Sequence, residues 1–424
     1  MGVSTKSGAF APKRIALVSE QANPLTEPGV AGSRIRHVAG LAAALSSLGH
    51  QVVVYTRRDH PHFPQRVHTP HGYDVVHVPA GPATTLGPEE VLAHAGAFVE
   101  FLERAWNEHR PDVVHAHGWL SGIVAVLSVR RSRVPVVQTY HSLGVARPQD
   151  RHATDSSSTK RLTVERLVGH EAARVVATSS AEARAVLRLG VDRSKLVVVP
   201  TGVDLDLFSA GRETAGRHRP RRIVAAGRLL PRKGFDDLIR FLSAVDGVEL
   251  VIAGGGTHRD VHGDPEAKRL LTLARSPGVD DRVMFAGHVP YAELPVLLRS
   301  ADVVACTPSQ QSSAGVALEA MACGIPVLAT AVGGLVDLVV DGLTGVLVPR
   351  DNPEATAKAL RALLADSALR EMLSAAGHDR AHARYSWHRV ASDLVRTYST
   401  ACANRTASAV SPRSARPRRS SAPA

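Results

Sequence analysis

Cysteine is scarce: three residues, Cys306, Cys323 and Cys402, in a chain of 424. An odd number without metal-ligand spacing argues against a disulfide framework or a zinc finger and fits a reducing compartment. No stretch approaches the roughly eighteen apolar residues that a membrane-spanning helix needs. The start, Met1 to Lys13, lacks the apolar core of a secretory signal. The expectation is a cytoplasmic protein, with peripheral contact at the inner face of the membrane left open. Lysine is scarce too, at seven of 51 basic residues, and the arginine that makes up the rest fits a GC-rich coding sequence.

With 44% hydrophobic and 21% charged residues the composition is globular, which excludes disorder throughout. The length suggests two or three domains of about 100–200 residues. The formal charge of +12 invites a nucleic-acid or lipid partner, but it is local. Residues 1–204 carry +6, 205–222 carry +3, 223–402 carry −2 and 403–424 carry +5. No nucleic acid is expected as a partner. The +6 on the first part points to an acidic acceptor or an anionic surface.

Short β-branched runs alternate with Ala/Leu/Arg-rich helical stretches, the pattern of parallel sheets covered on both faces. Strands are expected at 14–19, 51–56, 74–78, 113–117, 134–141, 175–179 and 196–200, with helices such as 38–48 and 89–108 between them. A second series has strands at 223–226, 249–253, 283–285, 303–307, 326–330 and 345–348, and helices including 235–245, 291–300 and 317–323. The fold class is therefore α/β, with two Rossmann-like lobes, 14–204 and 223–385, whose ligands bind at the carboxyl ends of the strands facing a central cleft. Residues 1–13 read as a flexible start, 205–222 as a linker and 403–424 as a disordered basic tail.

Two segments can carry chemistry. In Thr307–Pro326 a strand runs into a small-residue loop that opens a helix, and backbone N–H groups at such a start favour a diphosphate. Glu319, one turn in, can accept hydrogen bonds from a sugar hydroxyl. In Ala226–Gly234, Arg228 and Lys233 flank a Pro/Gly turn, and two fixed cations can clamp a departing diphosphate. Each segment alone also fits a bland reading, a packed strand–turn–helix or a solvated basic loop. Gly254-Gly255-Gly256 lacks the rest of a dinucleotide fingerprint, which argues against a dehydrogenase. His115, His117 and His141 lack a nearby Cys/Asp partner set, and Asp204-Leu205-Asp206 reads as a closing loop, so no metal site is assigned.

The ordered set Gly227-Arg228, Lys233-Gly234, Phe285-Ala286-Gly287, Pro308-Ser309, Gly315-Val316-Ala317-Leu318-Glu319 and Gly324-Ile325-Pro326 resembles the donor lobe of the retaining GT-B glycosyltransferases of the Glu-x7-Glu type. The likeness is to the branch with sucrose-phosphate synthase and the mycothiol-pathway transferases. It continues in the first lobe through Gly32, His37-Val38, His115-Ala116-His117, Gln138-Thr139-Tyr140-His141 and Val199-Pro200-Thr201-Gly202. The resemblance implies a nucleotide-sugar donor on the second lobe, an acceptor on the first, and transfer with retention. It implies no essential metal and no cofactor, the nucleotide sugar being a substrate.

By the same resemblance Arg228 and Lys233 hold the diphosphate, Gly315 and Val316 meet it through their backbone, Glu319 binds the ribose, and the main chain near His288 reads the base. Gly32 and Ser33 lie against the donor phosphates, His141 touches the donor sugar, and Arg161 and Ser142 face the acceptor. The segment 386–402 becomes a helix crossing back to the first lobe. Four positions depart from the family. Ser312 replaces the first Glu of the pair, Ser33 follows Gly32 where a second Gly is usual, and Gly118 and Pro88 stand where the mycothiol branch has an aromatic residue and a Lys. The last two point away from inositol phosphate as acceptor. The leading reading is transfer from a UDP-sugar such as UDP-GlcNAc or UDP-glucose to a hydroxyl of a small-molecule or lipid-linked acceptor. A donor-binding protein with weakened turnover and a nucleotide-sugar epimerase are the alternatives, and the sequence does not set the oligomeric state.

Overall fold

The computed structural model describes residues 11–26, 32–144, 155–211, 213–255, 263–275, 278–310 and 314–410. The first lobe runs β1 (Arg14–Val18), α1 (Ser33–Ser47), β2 (Gln51–Arg57), β3 (Arg66–His68), β4 (Asp74–Val78), α2 (Pro88–Ala93), α3 (Ala95–Glu108), β5 (Val113–His117), α4 (Trp119–Ser128), β6 (Val136–Thr139), α5 (Asp155–Glu171), β7 (Arg174–Ala177), α6 (Ser180–Arg188) and β8 (Leu196–Val198). Its sheet has the order β3-β4-β2-β1-β5-β6-β7-β8. Every pairing is parallel except β3 with β4, an antiparallel edge the sequence reading missed. The expected helix at 89–108 is two helices, broken at His94.

The second lobe runs β9 (Arg221–Ala226), α7 (Phe235–Leu242), β10 (Val248–Ala253), α8 (Pro265–Ala274), β11 (Val283–Gly287), α9 (Leu294–Arg299), β12 (Val303–Cys306), α10 (Gly315–Ala322), β13 (Val327–Thr330), α11 (Leu335–Leu338), β14 (Val346–Val348), α12 (Pro353–Ala365) and α13 (Ser367–Tyr385). The sheet order is β11-β10-β9-β12-β13-β14, all parallel. In both sheets the order reverses beside the first strand, at β1/β5 and at β9/β12, and loops diverge there to leave a crevice. Strands buried on both faces explain the near-continuous apolar runs, as in Val248–Ala253, buried at every position.

The stretch expected as a linker is not a loose tether. Phe208 is fully buried in the second-lobe core, with Leu205, Leu207 and Ala215 packed beside it. β9 starts at Arg221, and Arg222, 1% exposed, is held by Glu249 at 2.6 Å and by the Ser300 hydroxyl at 2.8 Å.

The last helix, α14 (Trp387–Val410), returns to the first lobe, where Val390, Ala391, Leu394, Val395, Tyr398 and Ala401 join the core of α1 and β1. It extends to Val410, so the start of the expected disordered tail at 403 is corrected: residues 403–410 continue the helix, and 411–424 lie outside the described residues. Trp387 seats its first turn. A methyl group added at Gly40 or at Gly202 would collide with the indole, which therefore fills a slot that two glycines leave open. Among the described residues no helix is long and apolar enough to cross a membrane.

Candidate active site

The second-lobe half of the site grows from the ends of β9, β10 and β12. Gly227 has φ 152° and Gly254 φ 146°, and a methyl group at Gly254 would run into the Gly227 carbonyl, so the two turns touch backbone to backbone. Pro231–Lys233 forms a short 3-10 turn closed by Gly234 at φ 71°. The Thr307 hydroxyl donates to the Gly234 carbonyl at 3.1 Å, and the Ser309 N–H donates to the Arg232 carbonyl at 3.0 Å, which ties this turn to the loop after β12.

Lys233 folds back over Gly227, its terminal atoms about 3.5 Å from where a methyl group there would stand. Burial pushes the Lys233 ammonium pKa down; Cys306 counters this, and the nearby Arg228 and Arg232 add to it. Like charges gathered at a strand-end crevice suit an anion, because the ligand relieves the repulsion.

Glu319 is the charged centre of α10. It is 4% exposed, and its Oε1 lies 3.3 Å from Nε of Arg36, which comes from the first turn of α1 in the other lobe. The Arg36 guanidinium also stacks 4.7 Å above the Tyr291 ring. Burial pushes the Glu319 pKa up, while Arg36 and the Tyr291 hydroxyl pull it back. Glu319 Oε2 is buried with no hydrogen-bond partner among the described residues, an uncompensated acceptor of the kind a ligand hydroxyl satisfies. The lobes meet again where the Ser180 N–H donates to Asp337 at 2.6 Å.

The first-lobe half is a nest of imidazoles. His117 ends β5 and His141 follows β6; His117 Nδ1 lies 3.0 Å from His141 Nε2. His141 has φ 61°, a strained backbone for a residue other than glycine. His37, from α1, packs against His141 with ring centroids 4.7 Å apart and bonds the Thr201 hydroxyl through Nδ1 at 3.1 Å. His115 is fixed from both sides, by the Tyr398 hydroxyl at 2.7 Å and the Thr139 hydroxyl at 2.8 Å, so the returning helix reaches the floor of the site. Burial holds these rings neutral, with His37 pushed down to about 4 and His115 to about 3. The pKa values of His117 and His141 also lie well below the usual imidazole range, first through burial and then through their charged neighbours.

On the side expected to face the acceptor, Arg161 is committed to the protein: Nε donates to Glu165 at 2.6 Å and Nη2 to the Ser142 carbonyl at 2.7 Å. It fixes the loop that carries Ser142. Gly118, where the sequence departs from the mycothiol branch, has φ 97°, and Nη1 of Arg34 lies 3.3 Å from where its methyl group would be. Arg34 thus reaches into space that an aromatic residue would fill.

Gly32 is the N-cap of α1 and Ser33 its first residue. Gly315 opens α10, and Val316 packs half-buried against the second-lobe core. His288 is exposed just beyond β11. Ser312 lies outside the described residues. The structure thus gathers most of the expected residues at two facing strand-end edges and adds Arg34, Arg36, His37 and Tyr291, which sequence reasoning did not assign. Asp204 caps its own turn, accepting from the N–H groups of Asp206 and Leu207 at 3.1 and 3.0 Å. A cavity of about 860 Å³ lies elsewhere, at the amino ends of β1, β2 and β4 against α3, and none of these site residues lines it.

Comparison with known proteins agrees with this geometry. Residues 36–207 match the glycosyltransferase family 4 model and residues 212–380 the glycosyl transferases group 1 model. A protein of Geodermatophilus obscurus named D-inositol 3-phosphate glycosyltransferase is 36% identical over 95% of this chain and 92% of its own length. One of the same name from Xylanimonas cellulosilytica is 37% identical over 93% of this chain and 98% of its own. Sucrose-phosphate synthase from Thermosynechococcus elongatus superimposes with a TM-score of 0.80 and 29% identity, over 94% of this chain and all of that one. Anabaena HepE, solved with UDP and glucose, shares the fold at a TM-score of 0.69 and 20% identity, over 92% of this chain and all of that one. The chain belongs to the GT-B glycosyltransferases of family 4 and is a sugar-transferring enzyme.

Proposed function

We propose that this enzyme moves a sugar from a UDP-sugar, such as UDP-GlcNAc or UDP-glucose, to a hydroxyl of a small polar or acidic acceptor, with retention at the anomeric carbon and without a metal or bound cofactor. The observation that carries the reading is the pairing, on one strand-end edge, of the Arg228/Lys233 turn with the buried, half-satisfied carboxylate of Glu319. The cations would take up charge on the departing diphosphate, and the free Glu319 oxygen would accept from the ribose. His141, held by His117, would donate to the sugar as a neutral imidazole. With leaving-group stabilisation and positioning supplying the rate, no protein nucleophile is needed.

The name of these relatives makes inositol 3-phosphate the first acceptor to try. The commitment of Arg161 to Glu165, and Arg34 beside Gly118, favour a differently shaped anionic acceptor. The reading places the enzyme in the cytoplasm, with the inner membrane face as an additional location for its acceptor.

A nucleotide-sugar panel tests it. One UDP-sugar should raise the melting temperature most and release UDP faster when an acceptor is present. Tight binding without turnover over a broad acceptor panel would favour a donor-binding protein, and a new sugar formed without acceptor would favour an epimerase.

A further inference from the structure

We propose that His37, His117 and His141 form a three-imidazole site for a late first-row divalent cation, with Zn²⁺ as its reference ligand. One donor nitrogen from each ring lies within 4.8 Å of the other two. Zinc–imidazole bonds of about 2.0–2.1 Å place tetrahedral ligand nitrogens roughly 3.3 Å apart. The His117–His141 pair, at 3.0 Å, is nearly at that spacing, and a modest ring rotation brings in the third. Two facing imidazole nitrogens share one proton, and a metal ion can take its place when that proton moves to the other nitrogen of its ring.

Two features of the surroundings support the site. His37 Nδ1 is engaged by the Thr201 hydroxyl, which leaves Nε2 for the metal, as outer partners of metal-bound histidines do. His141 is the half-buried member, the side from which a fourth ligand such as water would complete an open three-histidine site. The His37 contribution comes from α1, far in sequence from the two strand-end histidines, which is why spacing alone did not reveal the set.

Arg34 is the cation whose charge acts on His117 and His141, and it opposes the metal. Because His141 is the ring assigned to the donor sugar, an occupying ion would withdraw it and slow transfer. That consequence rests on the proposed function; the binding does not.

The full chain, stripped with chelator, is titrated with Co²⁺ and then Zn²⁺. The proposal expects one equivalent of Co²⁺ with the intense visible bands of a four-coordinate site, displacement by Zn²⁺, and a Zn²⁺-dependent rise in melting temperature. His37→Gln and His117→Gln should each weaken Zn²⁺ binding at least about tenfold, and Arg34→Met should tighten it. If His117→Gln does not fold, His37→Gln decides. Weak octahedral bands, or unchanged Zn²⁺ affinity in the folded variants, would place the ion on exposed histidines such as His60 and His62 and overturn the site. Metal binding as expected with no UDP-sugar turnover would leave the site standing and count against the functional reading. Turnover with no bound metal would do the reverse.

Discussion

Arg36 of the first lobe and Glu319 of the second form a buried ion pair across the cleft, Nε to Oε1 at 3.3 Å, and leave Glu319 Oε2 without a hydrogen-bond partner among the described residues. In the proposed reading one carboxylate thus serves two purposes, closing the lobes with one oxygen and offering the other to a ribose. Removing Arg36 leaves a buried carboxyl that burial drives towards its neutral form. Arg36→Ala should weaken UDP binding at least tenfold, about 1.4 kcal/mol, and Arg36→Lys should recover part of it. Calorimetric titration with UDP checks this; unchanged affinity in Arg36→Ala would show that the pair has no part in the donor site.

Lys233→Ala and Glu319→Ala should each lower turnover at least tenfold, about 1.4 kcal/mol in barrier. The two should differ in kind. In the proposed reading Lys233 faces charge that grows as the diphosphate leaves, so its loss should act mainly on kcat, whereas Glu319 grips the nucleotide in both states, so its loss should also raise KM. Steady-state kinetics on the variants separate the two effects.

Trp387 starts the returning helix in a slot between Gly40 and Gly202, with its ring edge-on to His37 at 5.4 Å. Trp387→Ala should cost about 3 kcal/mol of stability. Gly40→Ala should be comparably harmful, because the added methyl has no room. Urea unfolding of both variants measures this.

The imidazole nest makes stability depend on pH. His37 and His115 titrate near 4 and 3 in the fold, against an ordinary value of 6.5, so between those limits the unfolded chain binds more protons. Their contribution is fully present above pH 6.5 and is lost progressively as the pH falls towards the folded-state values. The urea midpoint should therefore fall between pH 7 and pH 4. His115→Gln should flatten that slope.

Much of this was legible in the sequence. The strands announce themselves as β-branched runs, and the Arg228/Lys233 turn and Glu319 stand in local motifs whose chemistry can be read without coordinates. What escaped has a common cause. The Arg36–Glu319 pair, the meeting of His37 with His117 and His141, and the seat of Trp387 each join segments far apart in the chain. No local period or spacing encodes such contacts. Arg66–His68 was missed for a different reason, being short, polar and at a sheet edge, where no buried face imposes alternation. The partner of Arg161 escaped as well: its position suggested an acceptor contact, and the buried Glu165 one turn along holds it.

The most direct measurement is proton NMR of the purified enzyme with a UDP-α-sugar, chelator and a panel of polar acceptors that includes inositol 3-phosphate. UDP release coupled to an α-linked product is the expected result. A β-linked product, or no turnover of any UDP-sugar, would contradict the assignment of a metal-independent retaining transferase.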